Sequence, residues 1–226
     1  MSNQIGYMPE ERGLYPKKGI KEQLVYFGQL KGMNRQEAIK SVEYWLDRTE
    51  MKDYSRKKLE TLSKGNQQKI QLIATLVHDP DVIILDEPFS GLDPVNAKLL
   101  KDIVIEQISS KKLVIFSSHQ MNYIEEFCTD IIILTKGEKV LDGDLREIKK
   151  LFRKNKLVVQ IDDLEKITDD YPEAEVDRES REVIIDMPKE MPKSIAMQDI
   201  ITKYDVNKIG IQEPSLQDIF IQYAND

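Results

Sequence analysis

Val82-Ile83-Ile84-Leu85-Asp86-Glu87-Pro88 decides the fold of this 226-residue chain. Four consecutive apolar residues give a strand with no polar face. That is the pattern of a parallel strand covered by helices on both sides. The strand ends in two adjacent carboxylates. Buried carboxylates are costly without a cation or hydrogen bonds to receive them. At the carboxyl edge of a parallel sheet they face the crevice where ligands bind. Asp86 there can hold Mg²⁺, commonly through water. Glu87 can polarise a water for attack on a phosphate.

Upstream stands Leu62-Ser63-Lys64-Gly65-Asn66-Gln67-Gln68-Lys69. It reads as a polar, glycine-containing turn that opens a helix running to about Val77. Unpaired backbone N–H groups, a hydroxyl and a cation at a helix start favour an anion. Downstream, Ser90-Gly91-Leu92-Asp93-Pro94 places Asp93 as the cap and Pro94 in the first turn of another helix. Leu113–Phe116 and Asp130–Leu134 repeat the all-apolar strand pattern. The alternation of strands and helices predicts a parallel α/β sheet with right-handed crossovers. His119 closes Ser117-Ser118-His119 behind the second strand, where an imidazole can donate to a phosphate and report its presence.

Before these motifs, Ile5–Met8 reads as a short strand stopped by Pro9. The stretch 10–19 reads as a loop with two glycines and Pro16. Apolar residues at 20, 24, 27 and 30 predict a helix over Ile20–Leu30. Asn34, with Glu37 three residues on, predicts a second helix to about Met51, with Trp45 in the core. Composition shifts near residue 155. Residues 162–190 hold twelve Asp or Glu against four Lys or Arg. Strands at 157–161, 182–186 and 206–211 and helices at 194–203 and 215–223 predict a small α+β domain over 154–226. The preceding domain then spans 1–153.

A net charge of −7 disfavours a nucleic-acid scaffold. One cysteine, Cys128, excludes an intrachain disulfide and reads as a buried structural thiol. No apolar run approaches a membrane span of about 20 residues, and no signal peptide is visible. The chain is expected to reach a membrane only through a partner.

In this order, residues 62–69, the strand 82–87, residues 90–93 and His119 resemble the signature motif, Walker B strand, D-loop and switch histidine of the ATP-binding-cassette (ABC) ATPases. The resemblance covers roughly residues 5–150. Gly6–Pro16 looks like the Q-loop region of a bacterial exporter branch, the sodium-efflux and drug-resistance type. Glu213–Phe220 is similar to the end of the extra domain in that branch. The resemblance implies a P-loop-NTPase-like parallel sheet with a helical subdomain. Its cofactors would be ATP and Mg²⁺, and its partners a second ATPase subunit, in a homo- or heterodimer, and an ABC-2-type membrane permease. The chain would be cytoplasmic and peripheral on the inner face of the cell membrane.

Carried over, Ser63, Lys64, Gly65 and Gln67, with Asp93, would serve the nucleotide held by the opposite subunit. Asp86 and Glu10 would serve Mg²⁺. Glu87 would be the general base and His119 the γ-phosphate sensor. Residues 10–15 would lie near the permease. Three departures stand out. The signature reads Ser-Lys-Gly-Asn-Gln rather than Ser-Gly-Gly-Gln. Glu10 stands where the family has glutamine. No Gly-Lys dipeptide occurs, and no two glycines frame four residues, so the phosphate-cradling P-loop is absent. The chain is therefore expected to be incomplete at its N-terminus, inactive alone, and prone to aggregate through exposed apolar edges. Two other readings compete. One is a non-enzymatic partner that lends only signature residues or regulates a full-length subunit. The other is a soluble ABC ATPase of the DNA-repair or translation type, which the acidic balance disfavours.

Overall fold

Pro9 ends the first strand, because its ring removes the next backbone donor. The computed structural model describes residues 2–11, 13–152, 156–187 and 191–224. They form two compact units, Met1–Gln120 and Met121–Asp226.

The first unit runs β1 (Ile5–Met8), α1 (Ile20–Leu30), α2 (Arg35–Arg48), α3 (Lys64–Leu76), β2 (Val82–Asp86), α4 (Pro94–Ser109) and β3 (Leu113–Ser117). The strands lie parallel in the order β1-β2-β3. Ile5 pairs with Val82, Met8 with Leu85, and Asp86 with Ser117. Asn34 caps α2 through a capping box: its side chain accepts from Glu37 N–H at 2.9 Å, and Glu37 accepts from Asn34 N–H at 3.0 Å. The helix stops at Arg48, short of the expected Met51. There Thr49 Oγ1 donates to the Trp45 carbonyl and Glu50 turns to φ 60°.

Leu72 and Leu76 of α3, Ile103 and Val104 of α4, and Ile83 and Leu85 of β2 close on one another with no room for a water molecule. The sheet presses so closely on α3 that a Cβ on Gly6 would stand 2.4 Å from the Thr75 carbonyl oxygen. The opposite face departs from expectation. Helices were expected over both faces, but only Ile83 and Leu85 of β2 are buried. Val82 and Ile84 are half-buried, and their register neighbours Tyr7, Leu113 and Ile115 are 55%, 58% and 50% exposed. The cause is placement: α3 and α4 both pack on the Ile83 side.

The outer edge of β1 is sealed by side chains. The Ile5 carbonyl accepts from Lys31 Nζ at 3.0 Å and His78 Nε2 at 3.2 Å. Tyr7 O accepts from Thr75 Oγ1 at 3.4 Å, and Pro9 O from Gln71 Nε2 at 2.5 Å. Burial pushes the His78 imidazole below its ordinary 6.5.

The second unit opens with α5 (Met121–Phe127), β4 (Asp130–Thr135), β5 (Glu138–Asp144) and α6 (Leu145–Leu151). Here a sequence expectation fails. β4 joins no parallel sheet; it pairs antiparallel with β5 in a separate two-stranded sheet. Lys136 and Gly137 take φ of 52° and 83°, and positive φ at both central residues makes the two-residue turn that folds a hairpin.

Then follow β6 (Lys156–Ile161), α7 (Leu164–Asp170), β7 (Glu175–Asp177), β8 (Glu182–Asp186), α8 (Lys193–Lys203) and β9 (Val206–Ile211). Their antiparallel sheet has the order β7-β8-β6-β9, a ferredoxin-like βαββαβ arrangement. Leu157, Val159 and Val183 form its core with Ile167 and Ile200 of the helices. Finally α9 (Leu216–Ala224) buries Leu216 and Ile219 among Ile131, Ile133, Leu145 and Ile148. Cys128 packs half-buried beside that cluster, and burial raises its thiol pKa.

Gly6→Ala is expected to destabilise the first unit by about 1–3 kcal/mol through overpacking, read as a lower urea midpoint. An unchanged midpoint would contradict the close approach. His78 folds as the neutral form, so its contribution is fully present above pH 6.5 and fades as the pH falls toward its lowered folded value. His78→Gln, which keeps a donor for Ile5 O, is expected to flatten stability between about pH 7 and 5.

Candidate functional site

Asp86 and Ser117 end adjacent parallel strands, so their side chains meet at the carboxyl edge of the sheet. Ser117 Oγ donates to Asp86 Oδ1. The next residue, Glu87, leaves the strand at φ 47°. This left-handed conformation costs a non-glycine residue about 1–2 kcal/mol, and such strain concentrates at functional sites. The structure holds it by two bonds. Glu87 N–H donates to the Ser117 carbonyl at 3.2 Å and toward Ser117 Oγ at 3.3 Å.

The turn aims Glu87 inward. Its side chain is 15% exposed, while that of His119 is 71% exposed. Glu87 Oε1 accepts from His119 N–H and from His119 Nδ1, both at 2.8 Å. Nδ1 therefore carries a proton in this contact. Glu87 Oε2 is buried and has no partner among the described residues. Glu10 lies at the same edge, two residues beyond Met8, with its side chain exposed. Gln71 Nε2 holds the backbone on either side of it, through Pro9 O and Glu11 O at 3.5 Å.

The second motif lies against the start of α4. Ser63 caps α3 by accepting from Asn66 N–H at 3.3 Å. A Cβ on Gly65 would stand 2.9 Å from Asn96 Nδ2, so the two helix starts touch there. Lys64 lies across Gly91, whose φ is +67°; a Cβ at 91 would meet the Lys64 ammonium at 2.6 Å. Asp93 is engaged as the α4 cap, accepting from Val95 N–H at 3.1 Å and Asn96 N–H at 3.0 Å, and these bonds lower its pKa. Gln67 turns inward, donating to Leu62 O at 2.8 Å.

The structure therefore brings Asp86, Glu87 and His119 into one cluster with Ser117, and Ser63, Lys64 and Gly65 into another with Asp93 and Asn96. Sequence reasoning missed Ser117 as the hub of the first cluster. It also missed Gln68, whose Nε2 donates to Pro88 O at 3.2 Å and ties α3 to the residue behind the carboxylates. The signal in the sequence was the crowding of Gln67, Gln68, Lys69, Gln71 and Thr75 on one helix; the structure buries all five, and buried polar side chains have partners to find.

A family model described as "ABC transporter" matches residues 1–90, and one described as "ATP-binding protein DrrA1-3-like, C-terminal domain" matches residues 143–224. An uncharacterized ABC transporter ATP-binding protein of Alkalihalophilus pseudofirmus is 43% identical over 222 residues, which is 98% of this chain and 83% of that one. The chain belongs to the ATP-binding subunits of ABC transporters. The linearmycin resistance ATP-binding protein of Bacillus subtilis is 32% identical over 139 residues, 62% of this chain and 45% of that one. A solved structure of an ATP-binding subunit of an ABC transporter aligns at a TM-score of 0.61 and 27% identity, over 66% of this chain and 62% of that chain. No helix among the described residues of this ABC subunit is long and apolar enough to cross a membrane.

Gly91→Ala is expected to cost about 1–2 kcal/mol from its left-handed backbone plus the clash with Lys64. In a Lys64→Ala background the clash disappears, and the penalty should shrink by at least about 0.5 kcal/mol. Equal penalties in the two backgrounds would mean the ammonium does not press on Gly91.

Proposed function

We propose that this chain is the ATPase component of an exporter of the sodium-efflux and drug-resistance type, driving an ABC-2-type permease from the cytoplasmic side. The observation that carries the reading is the strained Glu87, with one oxygen bound by His119 and the other buried and unpartnered beside Asp86. A carboxylate held ready with a vacant acceptor fits a general base awaiting a water. His119, largely exposed, is placed to contact a phosphate.

The acidic edge fits Mg²⁺. Asp86 and Glu10 offer hard oxygen donors, but no group of three or more His, Cys, Asp or Glu among the described residues is poised to hold a metal. Asp86 would thus hold a Mg²⁺ whose other ligands are phosphate oxygens and waters, as is usual for this ion. The ion would neutralise charge on the transferring phosphoryl group. Ser117 would orient Asp86 through its hydroxyl. Ser63, Gly65 and the Lys64 ammonium would meet the nucleotide of a second ATPase subunit, with Gln67 and Asp93 bracing the turns that present them. We divide the chain at 153/154, with the ferredoxin-like module serving assembly more than chemistry.

The phosphate-cradling loop is not in this sequence, and the open apolar face of β1–β3 is consistent with a site that needs a further element. A non-enzymatic role beside a full-length subunit is the second reading, favoured by the missing loop and opposed by the retained Glu87 and His119.

Mg-ATP titration of the purified chain, after circular dichroism and size exclusion establish a folded monodisperse sample, should give no micromolar binding. Grafting a family phosphate loop with its strand and helix ahead of β1 should restore binding and hydrolysis. Glu87→Gln in that version should keep binding and lower turnover about 10²–10⁴-fold. Micromolar binding by the ungrafted chain would overturn the account of the loop. Hydrolysis unaffected by Glu87→Gln would overturn the assignment of the base.

A further inference from the structure

The four-stranded sheet of the second unit packs α7 and α8 on one face, where Leu157, Val159 and Val183 meet Ile167 and Ile200. The alternate residues of the same strands point the other way. On that outer face the strand register lines up two rows. One row runs Ile184, Val158 and Gly210 across β8, β6 and β9. The next runs Glu182, Gln160 and Lys208. Together they floor a hollow of about 340 Å³. A Cβ on Gly210 would meet nothing within 4 Å, so the apolar row is open on its β9 side and carries an isoleucine on its β8 side.

Charge is arranged in the same lopsided way. Glu182 lies on the β8 side of the second row and Lys208 on the β9 side, with β6 between them. Neither makes an ion pair among the described residues. Gln160 stands at the centre, its Nε2 donating to the Ser180 carbonyl at 3.1 Å. The other lysine of this face is already neutralised: Lys156 pairs with Glu175 at 2.5 Å and lies 3.9 Å from Asp186. Each row is thus complementary to its own mirror order. The large residue and the anion sit on one side of β6; the gap and the cation sit on the other.

We infer that this face receives the same face of a second copy of the chain, about a two-fold axis that runs along β6. The inference rests on the reading of a paired ATPase subunit and adds a contact that needs no nucleotide. Rotation about that axis lays β8 over the partner's β9 and keeps each row opposite itself. Glu182 then meets the partner's Lys208, Ile184 fills the space above the partner's Gly210, and Val158 packs on the partner's Val158. Each contact is made twice, as in any isologous interface. Sheets stacked face to face lie about 10 Å apart with their strands nearly aligned, which is the gap these side chains bridge. An axis running across the strands would set β8 on β8 and β9 on β9, so Glu182 and Lys208 would not meet. Charge matching therefore selects the orientation as well as the partner.

The test uses the full chain without nucleotide. Sedimentation velocity should show a reversible dimer below about 100 μM. Lys208→Glu and Glu182→Lys each set like charges opposite one another and should weaken it at least about tenfold. Mixing the two variants restores both ion pairs, so the mixed dimer should recover to within about threefold of the original, with a margin over the single variants that falls as salt rises. Gly210→Ile fills the gap with a residue that suits a strand and should also weaken the dimer at least about tenfold. Energy transfer between chains labelled at their N-terminal amines reads the same pairing: high for Lys208→Glu mixed with Glu182→Lys, low for either variant with itself. A folding defect in one variant would not be repaired by mixing, so it cannot imitate this result. A chain that stays monomeric over that range, a dimer indifferent to all three substitutions, or equal transfer in the mixed and like pairings overturns the proposal. Association through any other face gives that last outcome. The assay needs no nucleotide, so its failure is distinguishable from failure of the ATPase reading, which the Mg-ATP titration decides.

Discussion

The side-chain cluster at the acidic edge depends on the register between β2 and β3. Asp86 stands opposite Ser117 because Val82 stands opposite Leu113. In a pleated sheet a slip of one residue sends every side chain to the other face. A slipped β3 would turn Ser117 away from Asp86, withdraw two supports of the Glu87 turn, and move His119 off the carboxylate. Leu113 and Ile115 are as apolar as Val114 and Phe116, so packing alone does not choose this register; the five paired positions from Val82 with Leu113 to Asp86 with Ser117 hold it. The ladder along the strands therefore sets the hydrogen bonds at its end.

The same construction leaves the first unit lopsided. One face of its sheet rests on α3 and α4; the other presents isoleucine, leucine and tyrosine. Large contiguous apolar surfaces on a protein mark places where something else binds. Charge is distributed unevenly too. The α1–α2 region is basic and residues 162–190 are acidic, although the chain as a whole is acidic. A net charge averages over such differences and hides the surfaces on which partners are chosen.

Much of this was legible in the sequence because local rules and global structure agree. The Asn34 capping box, the Asp93-Pro94 helix start and the apolar strands at 82 and 113 are each encoded within a few residues. The two carboxylates and the histidine were legible for the same reason. What escaped was what distance in sequence conceals. An apolar run does not say how many of its faces are covered, so Val82–Leu85 read as buried on both sides. It does not name its neighbour either, so β4 was assigned to the parallel sheet, whereas the positive φ values of Lys136 and Gly137 fold it onto β5. Ser117 escaped because a serine at a strand end has no pattern; its role exists only once Asp86 is beside it. Lys64 was read as a cation facing a phosphate, and its path across Gly91 requires knowing that the starts of α3 and α4 touch.

The side chains along β1 carry a last consequence. Lys31, Thr75 and His78 occupy the outward carbonyls of Ile5 and Tyr7, which disfavours a further strand at that margin. At the other margin β3 pairs with no further strand among the described residues. The sheet thus has a terminated end and an extensible end, like a polymer capped on one side. Any strand added to it has one docking position and, next to parallel neighbours, one favoured direction. Its carboxyl end would then come to rest beside Ser117.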